Sequence, residues 1–160
     1  MSRLTSAAVP PVGPSDHGRG NGSELIVYAD LGCPHCAAQW EQIRELAVRV
    51  VFRHFPIASK HPRAAVLHAA AEAAGGQGSF FEMVDSLFAD RGRVDDPHLW
   101  QRARELGLDL DRFEADRRSE DVIARVRRDF ESGIRAGVVG TPALFSAGQS
   151  VDLDDLRAED

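Results

Sequence analysis

Cysteine is nearly missing from this chain, which holds only Cys33 and Cys36. That scarcity excludes a fold stapled by disulfides. One bridge closing so short a loop would contribute only about 2 kcal/mol in the chain-entropy picture. Long apolar runs are also absent. No stretch approaches the ~20 apolar residues that a membrane-spanning helix needs. Lysine is reduced to Lys60, a bias without a functional reading. The net charge of -6 leaves no excess of positive charge, which counts against nucleic acid as the main partner. Residues 1–23 carry Pro10, Pro11 and Pro14 but no apolar segment of a signal peptide. They are expected to form a flexible polar leader, and the protein is expected in the cytoplasm.

What remains is ordinary globular material, 43% hydrophobic and 28% charged, enough for one domain over residues 24–160. Leu25 to Tyr28 form a short apolar run, as a buried strand would. After Gly32, the residues Cys36, Trp40, Ile43, Ala47 and Val50 recur at helical spacing. A helix is expected from Pro34 to about Arg49, with proline at its first position. Val50 to Phe55 reads as a second strand, so strand, helix and strand imply a parallel pair with a right-handed crossover.

A helical block follows from about residue 61 to 118. Arg63 to Ala74 should end at Gly75-Gly76. Phe80, Phe81, Val84, Leu87 and Phe88 mark the next stripe. Asp96 before Pro97 reads as an N-cap, and Ser119 as another. Ala143-Leu144-Phe145 returns to strand character. A turn at Ala147-Gly148 and a short final helix at Leu153 to Leu156 complete the outline.

Two cysteines three apart, where a strand feeds a helix, suit redox chemistry better than a structural role. Disulfide exchange proceeds through the thiolate. The first turn of a helix offers free N–H groups and a partial positive charge, both favouring Cys33 as an anion. His35 adds a ring donor. A stabilised thiolate is also a good leaving group. Cys36, one turn on, would resolve the mixed disulfide and should be the more buried. Zinc is the alternative use of Cys-x-x-Cys, but a zinc site needs two further ligands, and no second Cys-x-x-Cys or His-x-x-x-His exists. Gly140-Thr141-Pro142 opens a late strand. A cis-proline there would present backbone groups to an extended substrate.

Cys33-Pro34-His35-Cys36 behind the strand at 24–30, together with Gly137-Val-Val-Gly-Thr-Pro-Ala-Leu-Phe145, resembles the thioredoxin superfamily, and more closely its DsbA-like branch. Phe52-Arg53-His54-Phe55-Pro56 followed by His61-Pro62 strengthens the resemblance, which covers about residues 24–148. It implies an α/β thioredoxin fold with a helical insertion between the βαβ unit and the C-terminal strands. It implies Cys33 as the attacking or attacked sulfur, Cys36 as the resolving one and His35 as the residue that tunes Cys33, with Pro34 completing the catalytic motif. Thr141 and cis-Pro142 would line the substrate groove. No cofactor or metal is implied beyond the Cys33–Cys36 disulfide itself. The partners implied are protein thiols or disulfides and a separate redox partner.

Three departures from the branch stand out. Val27 occupies the place where such proteins often carry a buried carboxylate, so proton transfer at Cys36 would use water or another group. Thr141 stands where strongly oxidising members often have valine. The segment after Phe145 is short, which predicts a reduced hairpin and helix.

Several other readings compete for single residues. His54, His61 and His68 are candidate metal ligands, with His61 and His68 expected to share a helix face; surface or core roles are the simpler account. Trp40 and Trp100 should pack in the core. Arg125, Arg127 and Arg128, and likewise Asp152, Asp154 and Asp155, should be solvated. The competing functional class is a non-catalytic thioredoxin-like binding module.

Overall fold

The computed structural model describes residues 7–158. Five strands form one sheet in the order β1-β3-β2-β4-β5. These are β1 (His17–Arg19), β2 (Glu24–Ala29), β3 (Arg49–His54), β4 (Ala143–Ser146) and β5 (Gln149–Val151). β2 and β3 pair in parallel, Val27 opposite Phe52, with α1 (Pro34–Ile43) as the crossover. β1–β3, β2–β4 and β4–β5 are antiparallel. Between β3 and β4 come α2 (Ala64–Gly75), α3 (Phe80–Ala89), α4 (Asp96–Glu105), α5 (Leu110–Arg117) and α6 (Glu120–Arg135). α7 (Leu153–Arg157) follows β5. This is a mixed α/β thioredoxin-like fold.

Strand alternation divides the core. Leu25, Val27, Val50 and Phe52 face α1 and the helical block, where Trp40, Leu67, Met83 and Leu87 are buried. Ile26, Tyr28, Val51 and Phe145 face the other way, against Val9, Val138 and Phe130 of α6.

Four expectations change. The helix after the cysteines ends at Ile43, because the Glu45 and Leu46 amides turn to the carbonyls of Gln42 and Ile43, three residues back, and bring the chain round for β3. The α4 cap is Asp95, whose side chain accepts from the His98 amide, with Pro97 in the first turn. Asp152 is not simply solvated, since it forms a capping box with Asp155 at α7.

The largest change concerns the leader. Residues 1–6 lie outside the described residues, but the stretch from Val9 to Arg19 is held against the sheet. Val9 is buried, and β1 extends the sheet beside β3. The cause is Arg53, buried on β3. Its guanidinium donates to both Asp16 carboxylate oxygens, to the carbonyls of Pro10 and Pro11, and to the Tyr28 hydroxyl. A buried guanidinium needs this many acceptors, and the preceding segment supplies them.

Candidate active site

β2 runs into Asp30-Leu31-Gly32, and α1 begins at Pro34 with Cys33 as its N-cap residue. Cys33 and Cys36 are both free thiols. Cys33 retains 9% exposure and Cys36 2%, so Cys36 is the more enclosed. Burial pushes the Cys36 thiol up to about 12, against the opposing pull of the Thr141 side chain and the Asp30 amide. The Cys33 sulfur lies within interaction distance of the same sulfur. Thr141 thus stands beside the dithiol, although it is more than a hundred residues away in sequence. The Thr141–Pro142 peptide is cis.

His35 is exposed on the first turn of α1, and Gln39 Nε2 lies 3.0 Å from its Nε2. His35, Gln39 and Pro142 share an open depression of about 460 Å³ with Leu144 and Asp152 to Asp154. Pro34 is exposed beside them. The six residues singled out from sequence therefore gather at one end of the sheet, around the start of α1 and the loop before β4.

Asp30 was not singled out, although it is an acidic residue closing an apolar strand. It is fully buried. Its Oδ1 accepts from the Gly32 amide at 2.8 Å. Its Oδ2 accepts from the Ile57 amide at 3.0 Å and pairs with His61 Nδ1 at 2.8 Å. Burial alone would raise its pKa, but the Ile57 and Gly32 amides and the His61 ring outweigh it and hold the group below the usual carboxylate range, while His68 Nε2, 3.8 Å from Oδ1, is too far to donate. A buried carboxylate thus adjoins the active loop from three residues before Cys33, while Val27 is part of the core.

The histidines do not form the group proposed from spacing. His61 precedes α2 and serves Asp30, while His68 lies inside α2 with no exposed surface. His54 and His68 meet each other through their Nδ1 atoms at 2.7 Å. Among the described residues, atoms of His17, His54 and Glu72 lie within 4.8 Å of one another, a spacing a divalent cation could span. Arg125 Nε is 3.4 Å from the same carboxylate and opposes a cation there. Arg125 also donates to the Ser15 carbonyl, so unlike the exposed Arg127 and Arg128 it is not on a solvated face.

These buried groups fix a pH response. Burial pulls His54 down to about 4 from 6.5, so the unfolded chain takes that proton first and stability falls as pH drops through 6.5 toward 4. Burial pushes Asp129 up to about 6 from 3.8, so the folded protein takes that proton first and stability rises as pH falls through 6. The two oppose each other. Asp129→Asn should remove the second effect, raising stability at pH 7.5 by about 1–2 kcal/mol and steepening the loss between pH 6 and 4. Urea midpoints across that range check it; an unchanged pH profile would contradict the assignment.

No helix among the described residues is long and apolar enough to cross a membrane. The sequence profile described as DSBA-like thioredoxin domain matches residues 24–158. The chain is 40% identical over 164 aligned residues to the Na(+)/H(+) antiporter NhaA 1 of Salinispora arenicola, the match covering 92% of this chain and 25% of that protein. It spans about a quarter of the length of the curated relatives it matches. A thioredoxin-like oxidoreductase from Silicibacter pomeroyi shares the fold with TM-score 0.80 and 23% identity over 91% of this chain and 90% of that one. The thiol-disulfide exchange protein alpha-DsbA2 of Wolbachia pipientis shares it with TM-score 0.81 and 20% identity over 91% and 86%. The profile match extends over most of the chain on a fold common to these solved structures, and the chain belongs to the DSBA-like thioredoxin domain family.

Proposed function

We propose that this protein is a thiol–disulfide oxidoreductase acting on protein substrates through Cys33 and Cys36. The observation that carries the reading is a dithiol at a helix start, with the Thr141 side chain brought against the inner sulfur from the loop before β4. In the reducing direction the Cys33 thiolate attacks one sulfur of a substrate disulfide and the other leaves as thiolate. Cys36 gives up its proton and attacks Cys33 Sγ. The second substrate thiol departs, and two electrons have passed from the pair to the substrate. The oxidising direction is the reverse. The Cys33–Cys36 bond is the only redox group required, and a separate thiol or disulfide partner resets it. His35 and Pro34 tune the first sulfur, and the depression shared by His35 and Pro142 receives an extended substrate segment.

Wild-type protein is expected to catalyse insulin disulfide reduction or reoxidation of reduced ribonuclease. Its reduction potential, set against the poises of oxidising and reducing compartments, assigns the direction. No catalysis in either direction would refute the reading.

A second reading is favoured by the relatives, in which the matched region makes up a quarter of an antiporter. The domain would then be a non-catalytic binding module attached to or partnering another protein. It would use the same groove without turnover, so the two assays separate it from the first reading.

Thr141 supports a further prediction. Its side chain favours the Cys36 thiolate. Thr141→Val keeps the shape and removes that hydrogen bond, so resolution by Cys36 should slow roughly threefold to tenfold. Quenched-flow release of a glutathione adduct at Cys33 measures it. An unchanged release rate would remove Thr141 from this role.

A further inference from the structure

Four consecutive amides lead into the dithiol, and each has one partner. Asp30 N–H points at Cys36 Sγ at 3.5 Å. Gly32 N–H donates to Asp30 Oδ1 and Cys33 N–H to the Asp30 carbonyl, at 2.8 and 3.0 Å. Three of the four are thus satisfied within residues 30–36. The fourth, Leu31 N–H, is satisfied from α2 by His68 Nε2 at 3.0 Å.

That contact determines the protons of a buried chain. An amide N–H only donates, so His68 Nε2 carries no proton and neutral His68 holds its proton on Nδ1. His68 Nδ1 lies 2.7 Å from His54 Nδ1, so His68 donates and His54 accepts. His54 then carries its own proton on Nε2, which faces Glu72 Oε1 at 3.3 Å. The other Glu72 oxygen meets His17 Nε2 at 2.7 Å. His54 and His68 are fully buried, and burial keeps both rings uncharged. Burial alone would raise Glu72, but His17 and His54 hold it well below the usual carboxylate range. The same assignment leaves His54 Nε2 no lone pair for a metal.

We infer that His68, held in one tautomer by His54 and Glu72, is a positioning residue for the Cys33–Cys36 pair. It fixes the Leu31 amide, and with it the adjoining peptide whose Asp30 N–H faces Cys36 Sγ. The inference rests on the exchange reaction proposed above. The Asp30 N–H contact favours the Cys36 thiolate, the form that attacks Cys33 Sγ, so loosening it makes that thiolate scarcer and slows attack by Cys36.

The test compares His68→Gln with His68→Leu. Glutamine keeps one acceptor for Leu31 and one donor for His54, and leucine keeps neither. The readout is the rate at which Cys36 releases a glutathione adduct from Cys33 at pH 7. His68→Leu is expected to slow release roughly threefold to tenfold, with His68→Gln within about twofold of wild type. Folded His68→Leu protein with wild-type values would overturn the inference. Because leucine strands two polar groups in the core, nitrogen-15 NMR of the wild-type imidazoles is the second measurement and needs no variant. A non-protonated His68 Nε2 coupled to the Leu31 amide supports the inference, and a protonated Nε2 overturns it. Neither readout needs turnover of a protein substrate. A wild type that turns over no protein disulfide, with adduct release slowed in His68→Leu, would sink the enzyme reading and leave this one standing.

Discussion

Cys33→Ser is expected to abolish disulfide exchange, and Cys36→Ser to leave the protein locked to its substrate. Serine matches cysteine in shape, so neither variant should unfold. Cys36 cannot replace Cys33. With burial pushing its thiol up to about 12, its thiolate fraction at pH 7 is on the order of 10⁻⁵, against about 10⁻² for an ordinary thiol. The higher basicity raises intrinsic nucleophilicity by roughly 10- to 100-fold, which does not recover the loss, and Cys36 is 2% exposed. These factors alone would leave Cys33→Ser about 1–10% of wild-type exchange, and the enclosure of Cys36 and the loss of a second thiol lower it further. Cys36 is nonetheless suited to resolution, because an adjacent sulfur on the same helix turn acts at a high effective concentration. In Cys36→Ser the mixed disulfide at Cys33 has no internal attacker, so one substrate per protein should appear by mass spectrometry. In the wild type, the resolving rate should climb about tenfold per pH unit from pH 7 to 9, as the scarce Cys36 thiolate grows. Substantial exchange by Cys33→Ser, or no adduct on Cys36→Ser, would contradict these roles.

The parts of this site that sequence reveals are those written in local pattern. An apolar run, a Gly-Cys-Pro break and helical spacing put the dithiol at the start of α1, and Thr141-Pro142 before Ala143 marked the second element. Residues whose roles depend on distant partners were not legible. His17-Gly18-Arg19 has no strand periodicity, and becomes β1 because β3 offers an edge to pair with. Asp30 reads as a polar residue ending a strand until the Ile57 amide and His61 close over it. His54, His61 and His68 read together as candidate ligands of one site, with surface or core roles the simpler account, whereas the His54–His68 pairing arises from the packing of α2 beside β3. Asp96 before Pro97 reads as the cap, and the His98 amide, which bonds the Asp95 side chain, puts the cap one residue earlier.

Arg53→Ala should be the most destabilising single change on the opposite face of the sheet. The guanidinium is 3% exposed and makes five hydrogen bonds, two of them to Asp16. For Asp16, burial would raise the pKa, but Arg53 and the Gly13 amide outweigh it and the group lies below the usual carboxylate range. Arg53 is shifted up despite its burial, by the same partner and by the Tyr28 hydroxyl. Removing one member of a buried pair leaves an uncompensated charge and costs about 3–5 kcal/mol. Asp16 can regain water if residues 10–16 lift from the sheet, which would bring the loss toward the lower end. Amide exchange should then rise first over residues 10–19, including β1, before the rest of the sheet responds. Arg53→Lys restores one charge but not the planar fork that reaches Asp16, Pro10 and Pro11 together, so it should fall between the two. Urea unfolding measures the loss. Because Arg53 faces away from α1 and the dithiol, the folded fraction of Arg53→Ala should keep the wild-type glutathione equilibrium. A large shift in that equilibrium, or a loss below 1 kcal/mol, would show that the N-terminal segment is not held to the sheet by this guanidinium.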